Sequence, residues 1–430
     1  MFTVTGRARL TLLALAIPTL LATCGKSATG PRSAGSASVA VQAGNNQPGL
    51  AGYGVNVRPA VRVTDANGNP VPNATVTFAV ASGGGNVTGG TAITNANGVA
   101  QAGKWTLGAS AGVDSLTATV SGTGIAGNPL TFTDTAVAAG YTIQIQYFGP
   151  APSAAVQAAM NAAAARWQQL IYRPIGSISV VTNAGDCGAG TPAINQIVSN
   201  LLILAQFDSI DGPGNVLGQA GPCLIRSSND LTAVGVMEFD TADVAGMSAN
   251  GTLNLVMLHE MGHVIGFGTL WDFPPNNCLQ LASDSVNHRD TYFSCPKARA
   301  AFDSSGGTTY TGASLSPHGG NKVPVENCGA SSPAGCGAGT VNGHWREPVL
   351  GNELMTGYIN AGANPLSIVS VAAQEDIGYT VNYDAADPYV HVFTAPAAGR
   401  TAPLFLGDDI RHGPIYVVNR LGRVIGVRQR

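Results

Sequence analysis

The chain has 430 residues, enough for two or three domains and a substantial core. Only 10% of its residues are charged and its formal net charge is −3, which excludes the basic surface that nucleic-acid binding needs. Beyond the N-terminus no apolar run approaches the roughly 18–20 residues that span a bilayer.

Arg7 and Arg9 precede an apolar stretch from Leu10 to Ala22, the layout of a secretory signal over residues 1–24. The stretch ends Leu21-Ala22-Thr23-Cys24, which resembles the lipobox of bacterial lipoproteins. That resemblance implies acylation of Cys24. Thr23 departs from the usual Gly, Ala or Ser, and ordinary signal cleavage is the alternative. Gly25 stands where an Asp would imply inner-membrane retention. The expected address is therefore outside the cell: an outer-membrane or surface lipoprotein touching the membrane through its anchor only, or a secreted protein. Residues 25–35 read as a flexible linker.

Apart from Cys24, the chain holds Cys187, Cys223, Cys278, Cys295, Cys328 and Cys336, an even set that suits disulfides in an exported protein. Sequence proximity pairs Cys187 with Cys223, Cys278 with Cys295 and Cys328 with Cys336. A cysteine-bound zinc lacks its C-x₂-C spacing.

From 36 to 138 the hydrophobic period is two. Val61–Thr64, Ala74–Phe78 and Ser115–Val120 alternate, with Asn-Gly turns between such segments, which predicts a β-sandwich. The runs VTDANGNPVPNATVTFAV and TNANGVA resemble bacterial Ig-like domains of the invasin/intimin type. A spacer role is expected for this domain, with contact to surface ligands as the alternative.

After Tyr141, residues 143–147 alternate as a strand. Ser153 is placed to cap a helix running to Leu170. Residues 178–182 read as a strand, and 191–207 are ambiguous between strand and helix. Val234–Phe239 reads as a strand, followed by an acidic turn from Asp240 to Asp243. This strand is expected to wall the substrate cleft.

Asn250 or Thr252 is then placed to cap an apolar helix carrying His259-Glu260-Met261-Gly262-His263. On a helix His259 and His263 stand at i and i+4, so both imidazoles leave one face and can grip one Zn²⁺. Glu260, beside the first, is placed to act as general base on water. Two satisfied core histidines would be the bland alternative, but the adjacent acid argues against it. Gly266 is free to end the helix in a sharp turn. In metzincins, which this stretch resembles, a third histidine follows three residues on; here that position is Thr269, which cannot serve.

His344 is set apart by its surroundings, Gly343-His344-Trp345-Arg346-Glu347, followed by Asn352-Glu353-Leu354-Met355-Thr356-Gly357. HEMGHVIGFG, a long cysteine-bearing insertion, GHW and a nearby Met turn together resemble leishmanolysin-type metzincins over residues 141–385. The resemblance implies His259, His263 and His344 as ligands of one catalytic Zn²⁺, Glu260 as base and Met355 as the Met-turn residue. A carboxylate ligand, Glu375, is the runner-up. Glu353 is expected to be structural, His288 and His318 to be surface groups, and Tyr358 has no assigned role. Asn364 to Tyr379 reads as a capped helix. Residues 386–430 read as a tail with a hairpin at 415–427 and no function.

The expected architecture is thus multidomain: an N-terminal all-β Ig-like sandwich, then an α+β metzincin-type zinc protease domain. The expected function is a zinc endopeptidase acting on protein or peptide substrates. The alternative is a surface adhesin with a catalytically inactive protease fold.

Overall fold

The computed structural model describes residues 37–282, 290–309, 322–327, 340–390 and 404–429. The signal, the linker, Cys24, His288, His318 and the pair Cys328 and Cys336 lie outside the described residues.

The N-terminal domain is a sandwich of two sheets. Ser38–Ala43, Ala60–Thr64 and Val99–Gln101 form one; Pro48–Leu50, Leu130–Val137, Gly112–Val120, Thr75–Ser82 and Thr91–Ile93 form the other. The period-two pattern works as expected: Leu116, Ala118 and Val120 are buried while Thr119 between them is exposed. Val61, Val76, Phe78, Trp105 and Phe132 fill the space between the sheets. The turn after the Ala60–Thr64 strand is closed by Asp65, whose Oδ1 accepts from the amides of Asn67 and Asn69 at 2.8 and 2.9 Å.

Asp384 joins this sandwich to the second domain. It accepts from the Gly54 amide at 3.1 Å and pairs with Lys104, while Asn56 Nδ2 donates to Val381 O at 3.0 Å.

The second domain is built on one mixed sheet. Its strands are β1 (Ile143–Phe148), β2 (Leu201–Asp208), β3 (Gly218–Arg226), β4 (Thr232–Asp240), β5 (Ile415–Val418) and β6 (Val424–Arg428), in the spatial order β1-β2-β4-β3-β5-β6. β1, β2 and β4 are parallel, β3 runs antiparallel to β4, and β5 runs parallel to β3. One face is covered by α1 (Ala154–Leu170) and α3 (Leu253–Ile265), which lock together where Trp167 Nε1 donates to Leu258 O at 2.9 Å. The other face packs against a hairpin of Ile178–Thr182 and Ile194–Val198. Burial on both faces explains why β2 and β4 read as continuous apolar runs rather than alternating ones.

Several sequence expectations need correction. The 191–207 stretch, left open between strand and helix, takes the strand reading as Ile194–Val198 and Leu201–Asp208, and needs none. Asp240 does not merely open a turn: its Oδ1 accepts from Ala242 N and caps a helix, α2 (Thr241–Asn250). Thr252 occupies the N-cap position of α3 without a side-chain capping bond, its hydroxyl bonding Asn250 instead. The helix expected from Asn364 is α4 (Ile368–Asp376), capped by Ser367, because Asn364 turns its amide back to Asn360 O.

Two corrections bear on function. β4, expected to wall the cleft, is interior, with β2 on one side and β3 on the other. The described residues 404–429 hold the expected hairpin but are not an appended tail. β5 and β6 extend the main sheet beyond β3, and Leu406, Ile415 and Val418 lie in the domain's core.

Two disulfides are formed among the described residues, Cys187–Cys223 and Cys278–Cys295. The first ties the loop after the Ile178–Thr182 strand to β3. Its two cysteines are 36 residues apart, so chain entropy sets its contribution at about 4 kcal/mol at most. Replacing Cys187 and Cys223 together by alanine should lower the urea-unfolding free energy by about 2–4 kcal/mol. An unchanged midpoint would show that the loop is held by its other contacts.

Candidate metal centre

α3 is buried on nearly all sides: Val256, Met257, Met261, Val264 and Ile265 are in the core, and so are His259, Glu260 and His263. The helix ends at Gly266, whose φ of 133° is reached readily only without a side chain. A methyl group on Gly262 would meet Met355 Cε at 2.7 Å and Trp167 Cζ2 at 3.1 Å, so the missing side chain is what lets Met355 lie against the helix between the two histidines.

The third imidazole is delivered by a separate loop. Trp345 donates its amide to Met355 O at 3.0 Å and its indole N–H to Ser370 Oγ at 2.9 Å. Its ring packs on Trp271, Phe267 and Phe293, with centroids 4.9, 5.1 and 5.7 Å away. Arg346 fixes the far side by donating to Val325 O, Thr291 O and Asp290 Oδ1. His344, between glycine and tryptophan, is thereby pressed against α3.

The three rings meet through Nε2. His259 to His263 is 2.9 Å, His263 to His344 is 3.0 Å and His259 to His344 is 3.1 Å. Each Nδ1 faces a backbone carbonyl: Leu354 O at 2.8 Å for His259, Phe267 O at 2.9 Å for His263, Thr340 O at 3.0 Å for His344. A carbonyl only accepts, so each Nδ1 carries the proton and donates it. The Nε2 atoms are then three bare lone pairs pointed at one another. Burial pushes the pKa of His259 and His263 down, which keeps them neutral.

A fourth acceptor completes the cluster. Asp409 Oδ2 lies 3.0 Å from His344 Nε2, 3.2 Å from His259 Nε2 and 3.9 Å from His263 Nε2. Three lone pairs and a buried carboxylate converge with no proton to share between them. Such a donor set fits a cation and little else, and the four groups can hold a metal ion.

Glu260 is fully buried, and neither carboxylate oxygen has a hydrogen-bond partner. Burial first, then the charge of Asp409, raises its pKa well above the usual carboxylate range. Nothing in packing rewards an unpartnered buried acid, so its position has to be explained by chemistry.

A sequence model of the family described as leishmanolysin matches residues 193–397, and one described as bacterial Ig-like domain (group 1) matches residues 54–137. The chain is a bacterial Ig-like domain followed by a leishmanolysin domain. No curated protein matches it. Among solved structures, the D00-D0 domain of intimin aligns at 16% identity and a TM-score of 0.20, covering 25% of this chain and 51% of that one. The D0-D1 domain of intimin aligns at 19% and 0.17, over 22% and 43%. A C-terminal intimin fragment, solved in complex with the intimin-binding domain of the translocated intimin receptor, aligns at 19% and 0.18, over 26% and 43%. The chain thus spans about half or less of the length of these intimin fragments.

Within the leishmanolysin domain the structure brings His259, His263, Glu260, His344 and Met355 together. It leaves the runner-up Glu375 elsewhere, paired with Lys297 Nζ at 3.1 Å and accepting from the Tyr383 hydroxyl. Glu353 is buried and accepts from Met355 N, Ser367 N and the hydroxyls of Ser367 and Ser370, so it shapes the Met turn. Thr269 donates to His263 O at 2.7 Å and steadies the end of α3. Tyr358 pairs with Phe405 in a short two-stranded ladder. Sequence reasoning missed Asp409 altogether. The one available signal was the pair Asp408-Asp409 amid apolar residues, Leu404 to Leu406 and Ile410, an unusual place for an acid.

If the cluster needs a cation, removing it should cost stability. Dialysis against a chelator should lower the thermal midpoint, and readdition of zinc should restore it. A free metal concentration 100-fold above Kd contributes about 2.7 kcal/mol. His344→Ala should bind metal well below one equivalent. A chelator-indifferent midpoint together with full occupancy in that variant would contradict the assignment.

Proposed function

We propose that the protein is an exported zinc endopeptidase whose ion is held by His259, His263 and His344, with Glu260 as general base. The observation that carries this reading is the juxtaposition of acceptor-only imidazoles with an unpartnered, buried glutamate on the same helix. Zinc bound there would supply Lewis acidity, acidifying a water and polarising the scissile carbonyl. Glu260, beside the ligand His259 on α3, would take a proton from the attacking water and return it to the leaving amine. The three Nδ1–carbonyl bonds hold the imidazoles in the tautomer that leaves Nε2 free. Met355 forms an apolar floor that keeps the ligand rings from turning.

The family match at residues 193–397 supports a metallopeptidase acting on peptide bonds. The competing reading, a surface adhesin with a spent protease fold, leaves Glu260 buried for no purpose. The Ig-like domain is proposed as a spacer, docked through Asp384, that sets the catalytic domain off the surface. Acylation at Cys24 is proposed as the anchor.

Glu260→Ala should keep stoichiometric metal and lose about 10²–10⁴-fold in casein cleavage by the full chain. Undiminished turnover would end the proposal. Separately, Cys24→Ser should abolish incorporation of labelled palmitate and release the protein from the membrane fraction. Labelling that persists would remove the anchor from the account.

A further inference from the structure

We propose that Asp409 is the fourth ligand of the metal centre, and that the chain's own segment 404–418 holds the centre closed, so the folded protein is latent until that segment is displaced. The inference rests on the metal reading above but goes beyond it, because it concerns access rather than chemistry.

A catalytic zinc keeps one position open for water and substrate, whereas a closed four-ligand shell is the mark of a structural site. Here three imidazole nitrogens and Asp409 Oδ2 all lie within 4.8 Å of one another, so the fourth position is filled from within. Asp409 is buried, and neither of its oxygens receives a hydrogen bond. A carboxylate held dry without donors is costly. A divalent ion at the imidazoles removes that cost, so ion and carboxylate stabilise each other.

The backbone around Asp409 shows how the group is held. Ala220 in β3 donates its amide to Asp409 O at 2.8 Å and accepts from Arg411 N at 3.0 Å. Gln219 Nε2 donates to Asp408 O at 2.8 Å. Farther along, Leu224, Ile225 and Arg226 pair with Tyr416, Val417 and Val418. The segment is therefore an added strand on β3, whose other edge is already taken by β4. On the near side Leu406 N donates to Gly357 O at 3.2 Å, just past the Met turn. On the far side Arg411 Nη2 donates to Cys187 O at 3.0 Å, in the loop stapled to β3 by the Cys187–Cys223 disulfide.

An extended peptide is recognised most simply by addition to an unpaired strand edge. The edge beside the three histidines is β3, and this chain has already added its own strand there. One segment thus fills both places a substrate would need, the strand edge and the fourth metal position. It enters as an intramolecular partner at high effective concentration, which a free peptide has to overcome.

The test uses the full chain loaded with cobalt in place of zinc, as wild type, Asp409→Asn and Asp409→Ala. Asn keeps the size of the side chain, which guards against misfolding of the alanine variant, while loss of the charge removes the metal bond that anchors the segment on β3. Acetohydroxamate is titrated while the visible cobalt absorption is followed. A centre closed 99 to 1 should show an apparent Kd about 100-fold weaker in wild type than in Asp409→Asn. The cobalt spectrum should also change between the two before any hydroxamate is added. Equal affinities and identical spectra would overturn the proposal, as would failure of wild type and both variants to bind cobalt. In parallel, Asp409→Asn should cleave casein at least about 10-fold faster than wild type, and the double variant Asp409→Asn/Glu260→Ala should not. If hydroxamate binding opens but no cleavage appears, the closure stands and the peptidase reading falls.

Discussion

Three imidazole nitrogens and one carboxylate oxygen meet in a dry pocket, and every one of them is an acceptor. The backbone enforces this: Leu354, Phe267 and Thr340 each draw a proton to Nδ1 and leave Nε2 bare. The surrounding packing serves to hold mutually repelling groups together. The aromatic cluster of Phe267, Trp271, Phe293 and Trp345 presses the His344 loop down. Glu353 collects the amide of Met355 and the Ser367 and Ser370 hydroxyls to fix the turn that carries the Leu354 carbonyl. Without a cation these contacts work against a standing repulsion; with one they become a coordination shell.

What was legible in the sequence was local. The pair His259 and His263 follows from helical periodicity, since i and i+4 share a face whatever the rest of the chain does. The Ig-like sandwich follows from alternation and Asn-Gly turns, because one buried face per sheet imposes a period of two. His344 was less accessible. No spacing connects it to α3, and only the resemblance of its surroundings to a known family singled it out. Asp409 was invisible for the same reason without that help: its approach depends on β5 and β6 joining the sheet beside β3, a pairing between distant segments that no periodicity encodes. The misplaced start of α4 has a smaller cause, since Asn364 and Ser367 are both competent caps and only the chain path chooses between them.

The sheet edge links these two levels. β4, the last strand in sequence before the histidine helix, was the natural choice for a cleft wall, yet strand order rather than chain order decides which edge is free. β3 doubles back between β4 and the C-terminal segment, so this flank of the site is built from residues on either side of the histidine helix. Residues 404–418 are therefore part of the site's architecture, and how they are displaced governs whether the centre can act.

The most direct test of this picture is X-ray absorption on the zinc-loaded full chain. Three imidazole nitrogens and one carboxylate oxygen are expected, all at about 2.0–2.2 Å. A first shell with fewer than three imidazoles would contradict the convergence of His259, His263 and His344 on which the whole reading stands.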